Sequence, residues 1–221
     1  MQIAIDGPSG SGKSTVAKML AAQLGVVYID TGALYRALGF FAQNSGIDLD
    51  NESALTRVLS FANISIGYID GAQHIYLNGQ DITAAIRTAE AGMAASSVAR
   101  FEGVRAKVVG IIQELAKGQS VIMDGRDIGT VVLPNAQVKV FLTATVEARA
   151  GRRVAELTEL GQEASFDDIA SQIAQRDEQD TKRSQAPLKQ ADDAILLDTS
   201  ELNIEETVTA VLKIIKEKGL M

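Results

Sequence analysis

The chain has 221 residues, 46% of them apolar, which is enough to bury a core without disulfide or metal staples. Acidic side chains outnumber basic ones 28 to 21, and the net charge of −7 excludes a general positive field for a phosphate polymer or an anionic membrane. Cysteine is absent and His74 is the only histidine, which excludes disulfides, thiolate metal sites, cysteine nucleophiles and any Ser/His triad not built on that residue. No apolar run reaches the ~18 residues of a spanning helix, and no basic-then-apolar leader follows Met1. The expectation is one compact, soluble, cytoplasmic unit.

Short β-rich runs over residues 2–5 and 26–29 stop at Asp6 and Asp30, and a helical pattern follows each. Residues 121–123, 138–142 and 195–197 are further continuous apolar runs, ending at Asp124, Thr143 and Asp198, as a sheet covered on both faces requires. Five strands alternating with helices predict an α/β fold with a five-stranded parallel sheet and helices on both faces. Between the second and third runs, Ile64, Ile66 and Tyr68 alternate with small or polar residues, and Ile75 and Leu77 do so again. Asp70-Gly71 and Asn78-Gly79 supply the turns of a small antiparallel β insert. His74 lies on it and is read as a surface residue, because no second imidazole exists to help it bind a metal.

Residues 146–183 are charged and mostly helical, with a break at Gly161 and a cap at Ser165, and read as a mobile helical lid. The last helix has Asn203 as cap, Glu205 and Glu206 in its first turn, and a stripe of Ile204, Val208, Leu212 and Ile215. It is scaffold. No internal repeat or Gly/Ser linker divides the chain.

Directly after the first strand stands Gly7-Pro8-Ser9-Gly10-Ser11-Gly12-Lys13-Ser14-Thr15, a full match to GxxxxGK[ST] leading into a helical run over 13–24. Such a loop curls its N–H groups around phosphates, the helix adds its positive end, Lys13 reaches the terminal phosphates and Ser14 can hold Mg²⁺. No NKxD guanine-reading motif occurs. The expected ligand is therefore ATP or a related triphosphate.

Arginines gather beyond the carboxyl ends of the predicted strands: Arg36 after the second, Arg126 after the third, and Arg149, Arg152 and Arg153 after the fourth. That edge is where open α/β sheets bind ligands. The spacing of Arg149, Arg152 and Arg153 places the three on one helical face, a phosphate-binding face or a solvated one paired with acids such as Glu156. Asp124, ending an apolar strand, fits a carboxylate that helps hold Mg²⁺ through water, and Asp30 is a weaker candidate because strand-end aspartates are often turn residues. More arginines than one triphosphate needs suggest a second anionic substrate. A phosphate monoester, with its second pKa near ~6, is largely dianionic at neutral pH. Such an acceptor needs no general base, so the lack of a usable histidine is consistent with phosphoryl transfer by positioning and charge neutralisation.

These segments resemble bacterial-type cytidylate kinase: the loop GPSGSGKST, then DTGALYR from Asp30 to Arg36, Ile86-Arg87-Thr88, DGRDIGTVV from Asp124 to Val132, and Arg176-Asp177 through Asp180 to Arg183. The resemblance spans residues 3 to about 199. It implies a P-loop NTPase fold, ATP and Mg²⁺ as cofactors, and CMP and dCMP as substrates of a monomer without nucleic-acid or membrane partners. Gly7, Pro8, Ser9, Gly10, Ser11, Gly12, Lys13, Ser14 and Thr15 would hold ATP, with Lys13 stabilising the migrating phosphoryl group. Ser14, and Asp124 through water, would hold the metal. Arg36 and Arg126 would clamp the acceptor phosphate, with Tyr35 packed against it and the Thr31 hydroxyl nearby. Ser96, Arg105 and Asp127 would read the cytosine, Arg176 and Asp180 would hold the sugar hydroxyls, and Arg183 would approach the reacting phosphates. Arg153, with Arg152 as its neighbour, would come down from the lid onto ATP. Arg87 matches the family without an assigned role.

The implied division is a core of residues 1–33, 85–145 and 184–221, a monophosphate-binding region at 34–84 that includes the β insert, and a lid at 146–183. Many relatives carry an arginine where this chain has Gln179, which removes one charge from the lid hinge, and a Gln-Arg pair where it has Ile112-Gln113, a packing change on an apolar helix. The rival readings are a P-loop kinase for another acceptor, such as UMP or a metabolite alcohol, and a nucleotide-gated switch that uses ATP without any monophosphate.

Overall fold

In a computed structural model, which describes residues 1–220, β1 (Gln2–Asp6) runs through the glycine loop into α1 (Lys13–Leu24), β2 (Val27–Asp30), α2 (Thr31–Asn44) and α3 (Glu52–Leu59). A meander follows, with β3 (Ile64–Ile69), β4 (Ala72–Leu77) and β5 (Gln80–Asp81), and then α4 (Ala89–Val98) and α5 (Glu102–Ala116). The chain returns through β6 (Val121–Gly125), one wide π turn (Ile128–Val132), β7 (Val138–Thr143), α6 (Val146–Glu159), α7 (Phe166–Lys182), β8 (Ile195–Asp198) and α8 (Ile204–Glu217). All five predicted core strands are present, each reaching the polar residue or glycine that ends its apolar run. Among the described residues no helix is long and apolar enough to cross a membrane.

The chain divides into two compact units, one made of Met1–Tyr28 and the chain from Gly118 onward, the other of Ile29–Lys117. α4 and α5 bury Ala91, Ala94, Ala95, Val104, Val108 and Ile112 and pack with α2 and α3 in the second unit. Small residues on α4 let it approach α2 closely, since a Cβ on Gly39 would lie 2.8 Å from that of Ala94 and 3.0 Å from its backbone carbon.

The five-stranded sheet has the order β2-β6-β1-β7-β8. β1 pairs in parallel with β6, Ile3 opposite Ile122, and with β7, Ile5 opposite Val140. The chain leaves β1 toward one edge and later returns to build the other, so the strand order reverses beside β1, where the glycine loop emerges. Ile3, Ile5, Leu20, Ile122, Val140, Leu142, Val211 and Ile215 are fully or almost fully buried in one cluster. Each such side chain contributes roughly 1.5–3 kcal/mol of transfer free energy. The antiparallel β3-β4-β5 sheet of the second unit matches the predicted insert, with Asp70 and Asn78 in left-handed turn conformations. α8 begins with a complete capping box, Asn203 accepting from the Glu206 N–H and Glu206 from the Asn203 N–H.

Asp6, the last residue of β1, fastens the π turn. Its Oδ1 accepts the Ile128 N–H at 2.8 Å and its Oδ2 the Gly129 N–H at 2.7 Å. Burial pushes this carboxyl up to about 6 from 3.8, even though the two N–H groups and Lys13 pull it down, and Asp127 adds to the rise.

Two outcomes follow from this packing. Gly39→Val is expected to lower the unfolding free energy by about 2 kcal/mol, seen as a lower urea midpoint with an unchanged slope. For Asp6, only the folded chain holds the proton between about pH 4 and 6, so raising the pH through that window costs the folded state stability. The unfolding free energy of the wild type minus that of Asp6→Asn is expected to fall across the same window in urea titrations; a flat difference would refute the assignment.

Candidate active site

The glycine loop leaves β1 through a backbone that excludes side chains. Gly7 has φ 147°, and a Cβ there would lie 1.9 Å from the Leu142 carbonyl oxygen on β7. Gly10 and Gly12 are left-handed, as an N–H-lined anion cradle requires. Ser11 Oγ donates to the Pro8 carbonyl at 3.0 Å, and Lys13 Nζ donates to the same carbonyl at 2.5 Å and to Ser11 Oγ at 3.3 Å. Burial, followed by the like charge of Arg126, pushes the Lys13 ammonium well below its ordinary value. Arg176 adds to this, while Asp124 and Asp6 oppose it. A lysine so placed favours an arriving polyanion.

Ser14 and Asp124, the predicted metal pair, are together: Ser14 Oγ donates to Asp124 Oδ2 at 2.7 Å, and Tyr28 Oη donates to Oδ1 at 2.7 Å. Both offer hard oxygens of the kind Mg²⁺ takes. Asp30, the weaker candidate, is turned to other tasks. Its Oδ1 caps α2 by accepting the Ala33 N–H at 3.0 Å, and its Oδ2 pairs with Arg36 Nη2 at 2.7 Å.

A cleft of about 790 Å³ opens in the first unit beside Gly10, Ser11, Gly12, Lys13, Ser14 and Thr15, with α6 on one side and Leu202, Asn203 and Ile204 on another. Arg149, Arg152 and Arg153 all line it, as their spacing predicts, but the structure separates their tasks. Arg149 is buried, donating to the Ser9 carbonyl at 2.9 Å and pairing with Asp177 of α7 at 2.5 Å, so it props the glycine loop and ties α6 to α7. Arg152 donates to the Thr199 and Leu202 carbonyls. Arg153 holds an ion pair with Glu156 at 2.7 Å, its side chain 39% exposed. An exposed pair of this kind is worth roughly 0–1 kcal/mol, so Arg153 is free to turn.

A second basic group surrounds β6 and the end of α7 in the same unit. Arg126 Nε donates to Asp180 Oδ2 at 2.7 Å, and Arg183 Nη2 stands 3.6 Å from Asp127 Oδ1 while its Nε donates to the Ala186 carbonyl at 2.6 Å. Ala186 takes a left-handed backbone to present that carbonyl. Burial works to raise the Asp180 carboxyl, but Arg126, with Arg176 and Arg183, outweighs it and holds the group below its ordinary range. Lys13, Arg126, Arg176 and Arg183 thus share one electrostatic neighbourhood.

In the second unit, Thr31 and Arg36 lie on α2 with Tyr35, and the Arg105 guanidinium of α5 stands 5.8 Å from the centre of the Tyr35 ring. Arg105 is buried, and Ser96 is half-buried on α4. His74, on the β insert, pairs with Asp81 at 2.7 Å. Sequence reasoning passed over Asp6, Tyr28, Asp177 and Gln73 as supports of these groups.

The cytidylate kinase family profile matches residues 3–217. A cytidylate kinase of Thermosipho melanesiensis is 49% identical over 217 residues, covering 98% of this chain and 97% of its own. One of Shouchella clausii is 49% identical over 215 residues, at 97% and 96% coverage, and one of Bacillus licheniformis 46% identical over 218, at 98% and 96%. Among solved structures, a shikimate kinase from Bacteroides thetaiotaomicron aligns over 98% of both chains with a TM-score of 0.50 at 16% identity. A sugar kinase from Janibacter aligns over 97% of this chain and 94% of its own, with a TM-score of 0.50 at 15% identity. These two share the fold. A profile match over nearly the whole chain, joined to end-to-end relatives at almost half identity, places this chain in the cytidylate kinase family.

Proposed function

We propose that this chain transfers the γ-phosphoryl group of Mg-ATP to CMP, and to dCMP, releasing ADP and CDP or dCDP. Family membership supports a nucleotide donor and a nucleoside monophosphate acceptor. The observation that carries the reading is the buried charge around Lys13, where Arg126 and Arg176 press on an already desolvated ammonium. One triphosphate does not need so many cations, whereas a donor and a phosphorylated acceptor together do.

The glycine loop, residues 7–15, would cradle the donor's phosphates, with Lys13 following the transferring group. Leu202 and Ile204 give the cleft an apolar margin for the donor's base. Mg²⁺, when bound, neutralises phosphate charge; Ser14 would hold it directly and Asp124 through water. Among the described residues no group of three or more carboxylates or imidazoles is arranged to hold a metal, so the remaining oxygens would come from phosphates and water. Arg36 and Arg126 would bind the acceptor's phosphate, with Thr31 and Tyr35 beside it. Arg183 would stabilise charge at the reacting phosphates, and Arg176 and Asp180 would take the sugar hydroxyls.

Ser96, Arg105 and Asp127 would read the base. Cytosine offers an N4 amine to a carboxylate, while uracil offers an oxygen that would leave buried Asp127 without its bond. The dianionic acceptor needs no base, so positioning, charge neutralisation and exclusion of water by α6 and α7, acting as a lid, would suffice. The reading includes a monomer and a cytoplasmic location.

The test is Mg²⁺-dependent ADP formation from ATP with CMP, dCMP, UMP, AMP and GMP in parallel. CMP and dCMP should dominate; equal rates above a slow ATPase background would point instead to a nucleotide-gated switch. Asp127→Asn should shrink the CMP/UMP ratio of kcat/KM by about tenfold, the scale of one buried unpaired charged group. Arg153→Ala should lower kcat by about a hundredfold, as loss of a transition-state donor does, with little change in CMP affinity. A loss confined to CMP binding would place that arginine elsewhere.

A further inference from the structure

The β insert reaches the start of α2 through one side chain. Gln73, on β4 and only 9% exposed, accepts the Asp30 N–H on its Oε1 at 2.8 Å and donates from its Nε2 to the Asp30 carbonyl at 3.2 Å. Both ends of one carboxamide are thus closed on the backbone of one residue, as a neighbouring strand would do. Asp30 in turn spends one carboxylate oxygen on the Ala33 N–H and the other on Arg36 Nη2. Gly32 leaves room for that pair, since a Cβ there would stand 3.1 Å from Arg36 Nη1 and 3.3 Å from Asp30 Oδ1. With Nη2 held by Asp30, the Arg36 Nε is buried and makes no hydrogen bond among the described residues. This donor is one a phosphate oxygen could accept.

β4 is itself held rigidly next to Gln73. His74 pairs with Asp81, and the Ile75 N–H donates to Thr83 Oγ1 at 2.9 Å, which donates to Asp81 at 2.6 Å. The lone histidine therefore serves the strand that presents the glutamine.

We propose that Gln73 is a positioning residue for the acceptor's phosphate: by gripping the Asp30 backbone it sets the carboxylate that aims the Arg36 guanidinium. The proposal rests on the reading of Arg36 as a ligand of that phosphate. It gives the β insert a task in the reaction, carried by a contact 43 residues apart in sequence.

The experiment measures kcat, the KM for CMP and the KM for ATP for Gln73→Leu, Asp30→Asn, Arg36→Met and the Gln73→Leu/Arg36→Met double variant. Gln73→Leu should raise the KM for CMP about tenfold, the scale of two lost buried hydrogen bonds, while kcat and the KM for ATP hold. Arg36→Met should raise it further, and the double variant should match Arg36→Met alone, because the glutamine acts through the arginine. Asp30→Asn keeps the helix cap and should raise the KM for CMP as Gln73→Leu does, so the relay is tested even if the leucine variant does not fold. An unchanged KM for CMP in Gln73→Leu or Asp30→Asn, or a full tenfold added on top of Arg36→Met, overturns the proposal. An unchanged KM in Arg36→Met overturns instead the reading of Arg36 on which it rests.

Discussion

A lysine ammonium kept from water and crowded by other cations is the constraint around which the first unit is built. Lys13 sits beneath the loop it belongs to, bonded to the Pro8 carbonyl and Ser11 Oγ, with Arg126 and Arg176 pressing on it and Asp124 and Asp6 opposing them. Such a centre is costly for a protein to hold alone and favourable once phosphates share it. The surrounding scaffold serves to keep it in place. β1 delivers the loop at the reversal of strand order, Gly7 passes the Leu142 carbonyl, and Arg149 props the Ser9 carbonyl from α6.

A recurring device is an aspartate that aims an arginine. Arg126 is paired with Asp180, Arg149 with Asp177 and Arg36 with Asp30, and Arg183 stands close to Asp127. A guanidinium that loses water needs a fixed counter-charge, and its planar fork lets one edge be held while another faces a ligand. This explains how a chain with net charge −7 can carry an anion site. The acids are spent on orienting the local bases, and the field that matters is short-ranged.

Much of this was legible before any coordinates. Parallel strands buried on both faces read as unbroken apolar runs, so all five were visible, and the glycine loop declares itself because its chemistry lies within nine consecutive residues. Asp-Gly and Asn-Gly turns disclosed the insert for the same local reason. The packing partners of the helices after the insert were not legible. Alanine-rich α4 carries small apolar residues that suit several neighbours, and only the folded chain shows α4 packed on α2, and α5 on α2 and α3.

The supports of the site were hidden by distance along the chain. Asp6 holds N–H groups 122 and 123 residues away, Arg149 a carbonyl 140 residues away, and Gln73 a backbone 43 residues away. Each looks in sequence like an ordinary strand-end acid, helix-face base or exposed-strand amide. By itself, then, the sequence determined the elements, the phosphate loop and the kinds of charged group available, since these follow from periodicity and neighbouring residues. Only the tertiary structure decided which aspartate orients which arginine, and that Arg149 is buried against Ser9 and Asp177 while Arg153 keeps only an exposed pair with Glu156, because hydrogen-bond partners far apart in the chain meet only when it folds.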